Sequence, residues 1–291
     1  MLTLNSPQIT QETVLRWREQ HARVAFVPTM GALHEGHLAL VRKAKTLADK
    51  VIVSIFVNPL QFSPAEDFEK YPRPIEEDTT LLLRESVDLL FQPNVDDLYP
   101  TGFSTAVRVK KLGDHLCGPL RAGHFEGVAT VCTKLFTITQ PNFAIFGEKD
   151  FQQVRILEQL VADLNLPIAI VRHETLREED GLALSSRNKY LTGDERAVAA
   201  LLPQVLFHLK KRSENVWGLT VGEALDHARQ ALSISLLEEE YLAIASGHDL
   251  VPAGESVKIL DMREPRVFAA FRIGKTRLID NMSIEIRQPA K

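Results

Sequence analysis

Residues 51–57, Val-Ile-Val-Ser-Ile-Phe-Val, form a nearly unbroken β-branched and aromatic run with no polar alternation. A strand of this kind is buried on both faces, as in a parallel sheet covered by helices on either side. The first half of the chain supplies the other parts of such a sheet. Apolar runs at 24–27, 88–91, 142–146 and 167–171 alternate with helical spacing at Leu38, Val41, Ala44 and Ala48, at 75–85, at Val128, Val131, Leu135 and Ile138, and at Val154, Leu157, Leu160, Val161 and Leu164. Strands and helices in that order imply right-handed βαβ units and a doubly wound parallel sheet, an α/β fold. Residues 11–21 read as a surface helix, and the irregular stretch 95–126 as an insertion with a short strand near 105–109.

The pattern changes from Gly181 onward. Helices are expected at 194–212 and 221–233, followed by alternating runs at 256–260 and 267–273. Alternation points to antiparallel strands with one solvated face. The expected organisation is a Rossmann-like domain over residues 1–180 and a smaller α+β domain over 181–291, joined near 175–186.

Lys and Arg total 34 against 38 Asp and Glu, a formal net charge of −4, so no overall basic field recommends nucleic acid as a partner. Cys117 and Cys132 form no CxxC pair, and Cys132 falls on an apolar helical stripe, as a buried free thiol would. This usage fits a reducing cytoplasm. No charged-then-apolar leader opens the sequence, and no apolar run approaches the ~18 residues of a membrane span. A cytoplasmic protein without a membrane partner is expected.

Ligands of doubly wound sheets bind beyond the carboxyl ends of the strands. The polar clusters after residues 27, 57, 146 and 171 are expected to meet there in one cleft. The first cluster is Pro28-Thr29-Met30-Gly31-Ala32-Leu33-His34-Glu35-Gly36-His37, a strand–loop–helix junction. Free amides and the helix dipole favour an anion at such a junction, and an imidazole donates to phosphate in either protonation state. A metal pair and two histidines that merely cap the helix are the competing readings.

Gly147-Glu148-Lys149-Asp150 offers a point charge for phosphate and carboxylates for ribose hydroxyls, or is a solvated turn. Ser185-Ser186-Arg187-Asn188 matches the oxygens of a phosphoryl group or departing pyrophosphate, although Ser-Ser-Arg also occurs in ordinary loops. Asn58, Gln61 and Gln153 are neutral amides suited to a hydroxy acid. Glu76, Glu77 and Asp78 mark either a metal's surroundings or a solvated helix start. GxGxxG and GxxxxGK[ST] are absent from the first loop, and no Ser-His-Asp or Cys-His set is suggested. Nucleotidyl transfer to an acid suits what is present.

With VPTMGALHEGHLALV, SIFVNPLQF, FGEKDFQQ, REEDGLALSSRNKYL and TRLIDN in place, the chain resembles the pantothenate synthetase family, AMP-forming pantoate–β-alanine ligases of the HxGH nucleotidyltransferase superfamily. The resemblance implies that pantoate and ATP give pantoyl adenylate and pyrophosphate, and that β-alanine then displaces AMP to give pantothenate. It implies that Met30, Gly31, Ala32, Leu33, His34, Glu35, Gly36 and His37 line ATP, with His37 as proton donor and His34 beside the phosphates. Gln61 and Gln153 would bind pantoate. Gly147, Glu148, Lys149 and Asp150 would hold ribose and phosphate. Leu184, Ser185, Ser186 and Arg187 would close over the triphosphate, and Leu176 would meet adenine through its backbone. Magnesium, with ligands unknown, and a homodimer are further implications. Two alternatives stay open: a nucleotidyltransferase for another small acid or phosphorylated alcohol, and a silent nucleotide-binding module.

Overall fold

The computed structural model describes residues 1–62, 68–233 and 236–286; residues 63–67, within the acidic, proline-containing stretch after Asn58, lie outside them. The chain groups into two compact units. One comprises Met1–Lys110, Arg121–Glu148 and Gln153–Thr175, the other Lys111–Leu120, Lys149–Gln152 and Leu176–Lys291.

The first unit holds six strands, β1 (Leu2–Leu4), β2 (Val24–Thr29), β3 (Lys50–Ile55), β4 (Leu89–Phe91), β5 (Phe143–Gly147) and β6 (Ala169–His173). Their order is β1-β4-β3-β2-β5-β6 and every pairing is parallel. Side chains alternate across the sheet and both sides are apolar, as the run at 51–57 requires. Val24, Phe26 and Ile52 join a core with residues of α1 (Pro7–Glu19) and α5 (His124–Thr139) and with Val154 and Leu157 of α6 (Phe151–Asp163). Ala25, Val27 and Val53 face α2 (Glu35–Lys45) and α3 (Ile75–Arg84). Burying each large apolar side chain contributes about 1.5–3 kcal/mol, and Phe26, Ile52, Leu89 and Phe91 are all fully buried. Chain order reverses between β2 and β5, so the topological switch point lies where the loops after those strands begin.

Two features of this unit differ from expectation. β1 forms the edge beside β4, and its three residues are too few to display a period. No strand forms at 105–109: the Val107 N–H donates to Thr130 Oγ1 of α5 at 2.9 Å, so a helix side chain satisfies it in place of a neighbouring strand. Within the irregular stretch, α4 (Val95–Leu98) is a single helical turn. Cys132 lies buried in α5, and burial pushes its thiol up to about 12.

The second unit pairs β7 (Glu238–Ser246), β8 (Pro265–Ile273) and β9 (Thr276–Ser283) in an antiparallel sheet packed on α8 (Leu201–Asn215) and α9 (Val221–Leu232). The helix expected over 194–212 is broken at Ala200 into α7 (Gly193–Ala199) and α8. Pro203 has no N–H to return to the Ala199 carbonyl, so the ladder lapses there. The run 256–260 is not a strand. Its backbone docks the start of α9, with Val257 O accepting from Val221 N at 2.9 Å and Ile259 N donating to Leu219 O at 3.1 Å. β8 keeps only part of the expected solvated face, with Arg272 exposed near its end: Val267, Ala269 and Phe271 enter the helical core, while Phe268 on the other side meets Phe151, ring centroids 5.8 Å apart. Among the described residues no helix is long and apolar enough to cross a membrane.

Candidate active site

The loop leaving β2 is held from below. Thr29 Oγ1 donates to Ser54 O at 2.8 Å and accepts from Gly31 N at 3.2 Å. Gly31 and Ala32 then take left-handed conformations, φ +81° and +51°. A Cβ at Gly31 would stand 2.9 Å from Asp78 Oδ2 and 3.0 Å from Ile55 Cγ2, so glycine is required on both counts. The turn aims the amides of Ala32 and Leu33 at the Asp78 carboxylate, at 2.8 and 2.7 Å. Two amides of the anion loop are thus engaged by the protein's own anion. Glu76 and Glu77 are exposed, but Asp78 is buried; it is a strut under the loop and does not belong to a solvated helix start.

His34 is the N-cap of α2. Its Nδ1 accepts from Gly36 N at 3.2 Å, and His37 Nδ1 accepts from His34 N at 3.3 Å, a reciprocal capping box made of two imidazoles 4.1 Å apart. A ring nitrogen that accepts cannot carry the proton, so each ring bears it on Nε2. Capping therefore fixes the tautomer and turns the pair into oriented N–H donors. The capping reading and the phosphate reading are both served by the same geometry.

The loop after β3 forms a 3-10 turn, Pro59–Gln61. Asn58 is 1% exposed and saturated: its Oδ1 accepts from Tyr99 Oη at 2.8 Å and Leu60 N at 3.3 Å, while Nδ2 donates to Gly127 O and Gln61 Oε1, both at 3.1 Å. The backbone partners Leu60 N and Gly127 O fix which end of the amide is oxygen. Gln61 is consequently held with Oε1 inward, and its Nε2 lies 2.9 Å from Met30 Sδ. Burial raises the Tyr99 phenol, keeping it a donor.

Arg121 Nη1 donates to His124 Nε2 at 2.9 Å, so His124 Nδ1 donates to Gln61 O at 2.8 Å. Gly127 permits the approach: a Cβ there would lie 2.1 Å from Leu60 O. Asn58, singled out as a substrate amide, is in this arrangement the support of Gln61. The supports Tyr99 and His124 were not singled out from the sequence.

At the end of β5, Gly147 has open space where a Cβ would stand. Glu148 lies 3.8 Å from Arg172 of β6, which also grips Glu158 through Nε and Nη2 at 2.6 and 2.7 Å. Burial opposes ionisation of Glu158, but hydrogen bonds from Arg172 and Arg155 outweigh it and hold its carboxyl below the usual range. Gln153 is half-buried on α6. Its neighbour Gln152, buried in the second unit, donates to Leu112 O and His115 O at 2.8 Å and accepts from Cys117 N at 3.1 Å.

The model of the family described as pantoate-beta-alanine ligase matches residues 3–283. The chain belongs to that family. Pantothenate synthetase of Alcanivorax borkumensis is 46% identical over 289 residues, covering 98% of this chain and 99% of that protein. A crystal structure of pantothenate synthetase from Thermus thermophilus is 42% identical with a TM-score of 0.90, covering 98% of this chain and 99% of that one. Pantoate-beta-alanine ligase from Francisella tularensis, crystallised with beta-gamma ATP and β-alanine, is 35% identical with a TM-score of 0.79, covering 99% of each chain. The fold is that of pantoate–β-alanine ligases, and the chain is an enzyme of that class.

The remaining residues implied by the pantoate–β-alanine ligase resemblance lie in the second unit. Lys149 keeps 20% of its side chain exposed, 3.9 Å from Asp150 Oδ2. Leu176 O accepts from Leu184 N at 2.9 Å, and Arg177 bridges Ala183, so residues 176–184 double back as a narrow hairpin. Arg196 braces it through Glu178 at 2.7 Å and Asp180 at 2.5 Å, and the Arg196 hydrogen bond holds the Asp180 carboxyl below the usual range. Ser185 Oγ accepts from Arg187 N at 3.2 Å and starts a 3-10 turn, Ser186–Tyr190. Among the described residues no group of three or more His, Cys, Asp or Glu could hold a metal ion.

Proposed function

We propose that this pantoate–β-alanine ligase activates pantoate with ATP and joins it to β-alanine through a pantoyl adenylate. A pantoate carboxylate oxygen attacks the α-phosphorus and pyrophosphate leaves. The β-alanine amine then attacks the acyl carbon, loses a proton and releases AMP and pantothenate. The observation that carries the reading is the imidazole capping box: Nε2–H of His34 and of His37 is the form that donates to phosphate oxygens as charge builds on them. The beta-gamma ATP and β-alanine in complex with the Francisella tularensis relative lend support.

In this reading Met30, Gly31, Ala32, Leu33, Glu35 and Gly36 shape the nucleotide loop, and Lys149 supplies a point charge at the phosphates. Arg187, with Ser185, Ser186 and Leu184, covers the leaving pyrophosphate. Gly147, Glu148 and Asp150 take the ribose, and the Leu176 backbone meets adenine. Gln61 and Gln153 hold pantoate, Gln61 through the Nε2 that faces Met30 of the nucleotide loop while Asn58 takes its Oε1. Magnesium fits as an ion carried by the phosphates, since such an ion keeps waters and needs few protein ligands. Residues 1–180 would bind nucleotide and pantoate, and 181–291 would act as a lid, in a cytoplasmic homodimer.

Purified protein given ATP, magnesium and pantoate is expected to release pyrophosphate, and to form pantothenate and AMP once β-alanine is added. Absence of pyrophosphate release would remove the proposal. Tyr99→Phe, which keeps the ring but loses the hydrogen bond that orients Asn58, is expected to raise the pantoate KM by about fivefold, the equivalent of about 1 kcal/mol. Steady-state titration with pantoate measures it; an unchanged KM disconnects Tyr99 from the substrate amide.

A further inference from the structure

In the second unit, β9 carries the dipeptide Asp280-Asn281, both residues buried. Asp280 receives Arg177 in a two-pronged pair, Nη1 to Oδ2 at 2.7 Å and Nη2 to Oδ1 at 2.8 Å. The same guanidinium donates to Gly181 O at 2.9 Å, across the hairpin that leads to Leu184 and Arg187. Asp280 Oδ1 also accepts from Asn281 N at 2.7 Å, tying the two residues together.

Asn281 reaches a different segment. Arg266 donates to its Oδ1, which fixes the amide so that Nδ2 donates to Lys149 O at 3.0 Å. Arg266 in turn lies over the Phe151 ring, 3.8 Å from its centroid. Lys149 and Phe151 are thereby clamped to the antiparallel sheet by two adjacent side-chain contacts, and residues 149–152 group with this unit.

We propose that Asp280 and Asn281 form a positioning bracket for adenylation, fixing Lys149 through its carbonyl and the 176–187 hairpin through Arg177. The proposal rests on the reading that Lys149 and Arg187 serve the phosphates. Two cationic groups drawn from segments some forty residues apart in the chain need a common datum, because a misplacement of about 1 Å costs up to 100-fold in rate. One dipeptide on one strand provides it.

Asn281→Asp keeps the side chain's shape and its contact with Arg266 but removes the donor to Lys149 O. It is expected to slow single-turnover pyrophosphate release by ~10-fold or more, while attack of β-alanine on pre-formed pantoyl adenylate stays within about twofold. Added to Lys149→Ala, it is expected to cost nothing further, because a residue that acts through another is silent once that other is gone. Equal slowing of both half-reactions, parent rates in the single variant, or a multiplicative loss in the double variant would each overturn the bracket. Asn281→Ala is read in the same way where the aspartate variant does not fold. The parent protein runs alongside: if it releases no pyrophosphate, the adenylation reading fails; if it does and the variants match it, only the bracket fails.

Discussion

His34→Asn and His37→Asn are expected to fold about as stably as the parent and yet lose ~100-fold or more of the adenylation rate, the scale of a lost acid–base group or charge-stabilising donor. The separation follows from the two nitrogens of each ring. Nδ1 does structural work, accepting Gly36 N in one case and His34 N in the other. An asparagine oxygen reproduces an acceptor at that distance from the backbone and is a favoured N-cap, so the start of α2 keeps its cap. Nothing in asparagine reproduces Nε2–H. His37→Gln places an amide N–H near the Nε2 position and is expected to recover part of the rate by donating a hydrogen bond, without a transferable proton. Single-turnover pyrophosphate release and thermal unfolding, run on the same preparations, check the pair of statements. Parent-level rates in His37→Asn would take the imidazole out of the chemistry. A large fall in stability would make the histidines helix caps alone.

The double role explains why the sequence left the pair ambiguous. A strand, a glycine turn and a helix start are local features, and their order along the chain established the parallel sheet and the position of the loop. Side-chain pairings across tens of residues are not local. Tyr99 meets Asn58 and His124 meets Gln61 from the irregular stretch, where no period is available to phase them. Gln152 and Gln153 are adjacent amides at a helix start, and only the packing separates the one that ties down residues 112–117 from the one left half-buried. In the second unit, alternation misled at 256–260 because a bend that docks a helix can carry the same pattern as a strand. β8, in turn, is covered at Phe268, on the face expected to meet solvent, by Phe151, a residue more than a hundred positions earlier. Asp78 was readable in principle. Ile75, Asp78 and Leu82 fall on one helical face, and Asp78 and Leu82 are the buried residues of α3. An acid on an inward stripe requires buried donors, and the nearby loop rich in free amides was the obvious supplier.

That carboxylate carries the largest stability effect expected of this site. Asp78→Ala leaves the amides of Ala32 and Leu33 buried without their acceptor, and each abandoned donor costs about 1–3 kcal/mol. The loss expected is therefore about 2–6 kcal/mol, a large share of the 5–15 kcal/mol that typically holds a domain together. Asp78→Asn retains one acceptor but turns an N–H₂ toward the other amide, so it is expected to fall between parent and alanine. The functional consequence follows from the turn. Gly31 and Ala32 occupy left-handed conformations that cost energy for alanine, and the bonds to Asp78 are what offsets that cost. Without them the loop is free to relax, and the imidazoles at its far end lose their fixed approach to the phosphates. Urea unfolding monitored beside single-turnover adenylation distinguishes the possibilities. Both variants are expected to lose rate even at temperatures where they remain fully folded, alanine more than asparagine. A shift below about 1 kcal/mol for Asp78→Ala, less than one abandoned donor should cost, would mean that the loop is held by Thr29 and the sheet, and that Asp78 is incidental to it.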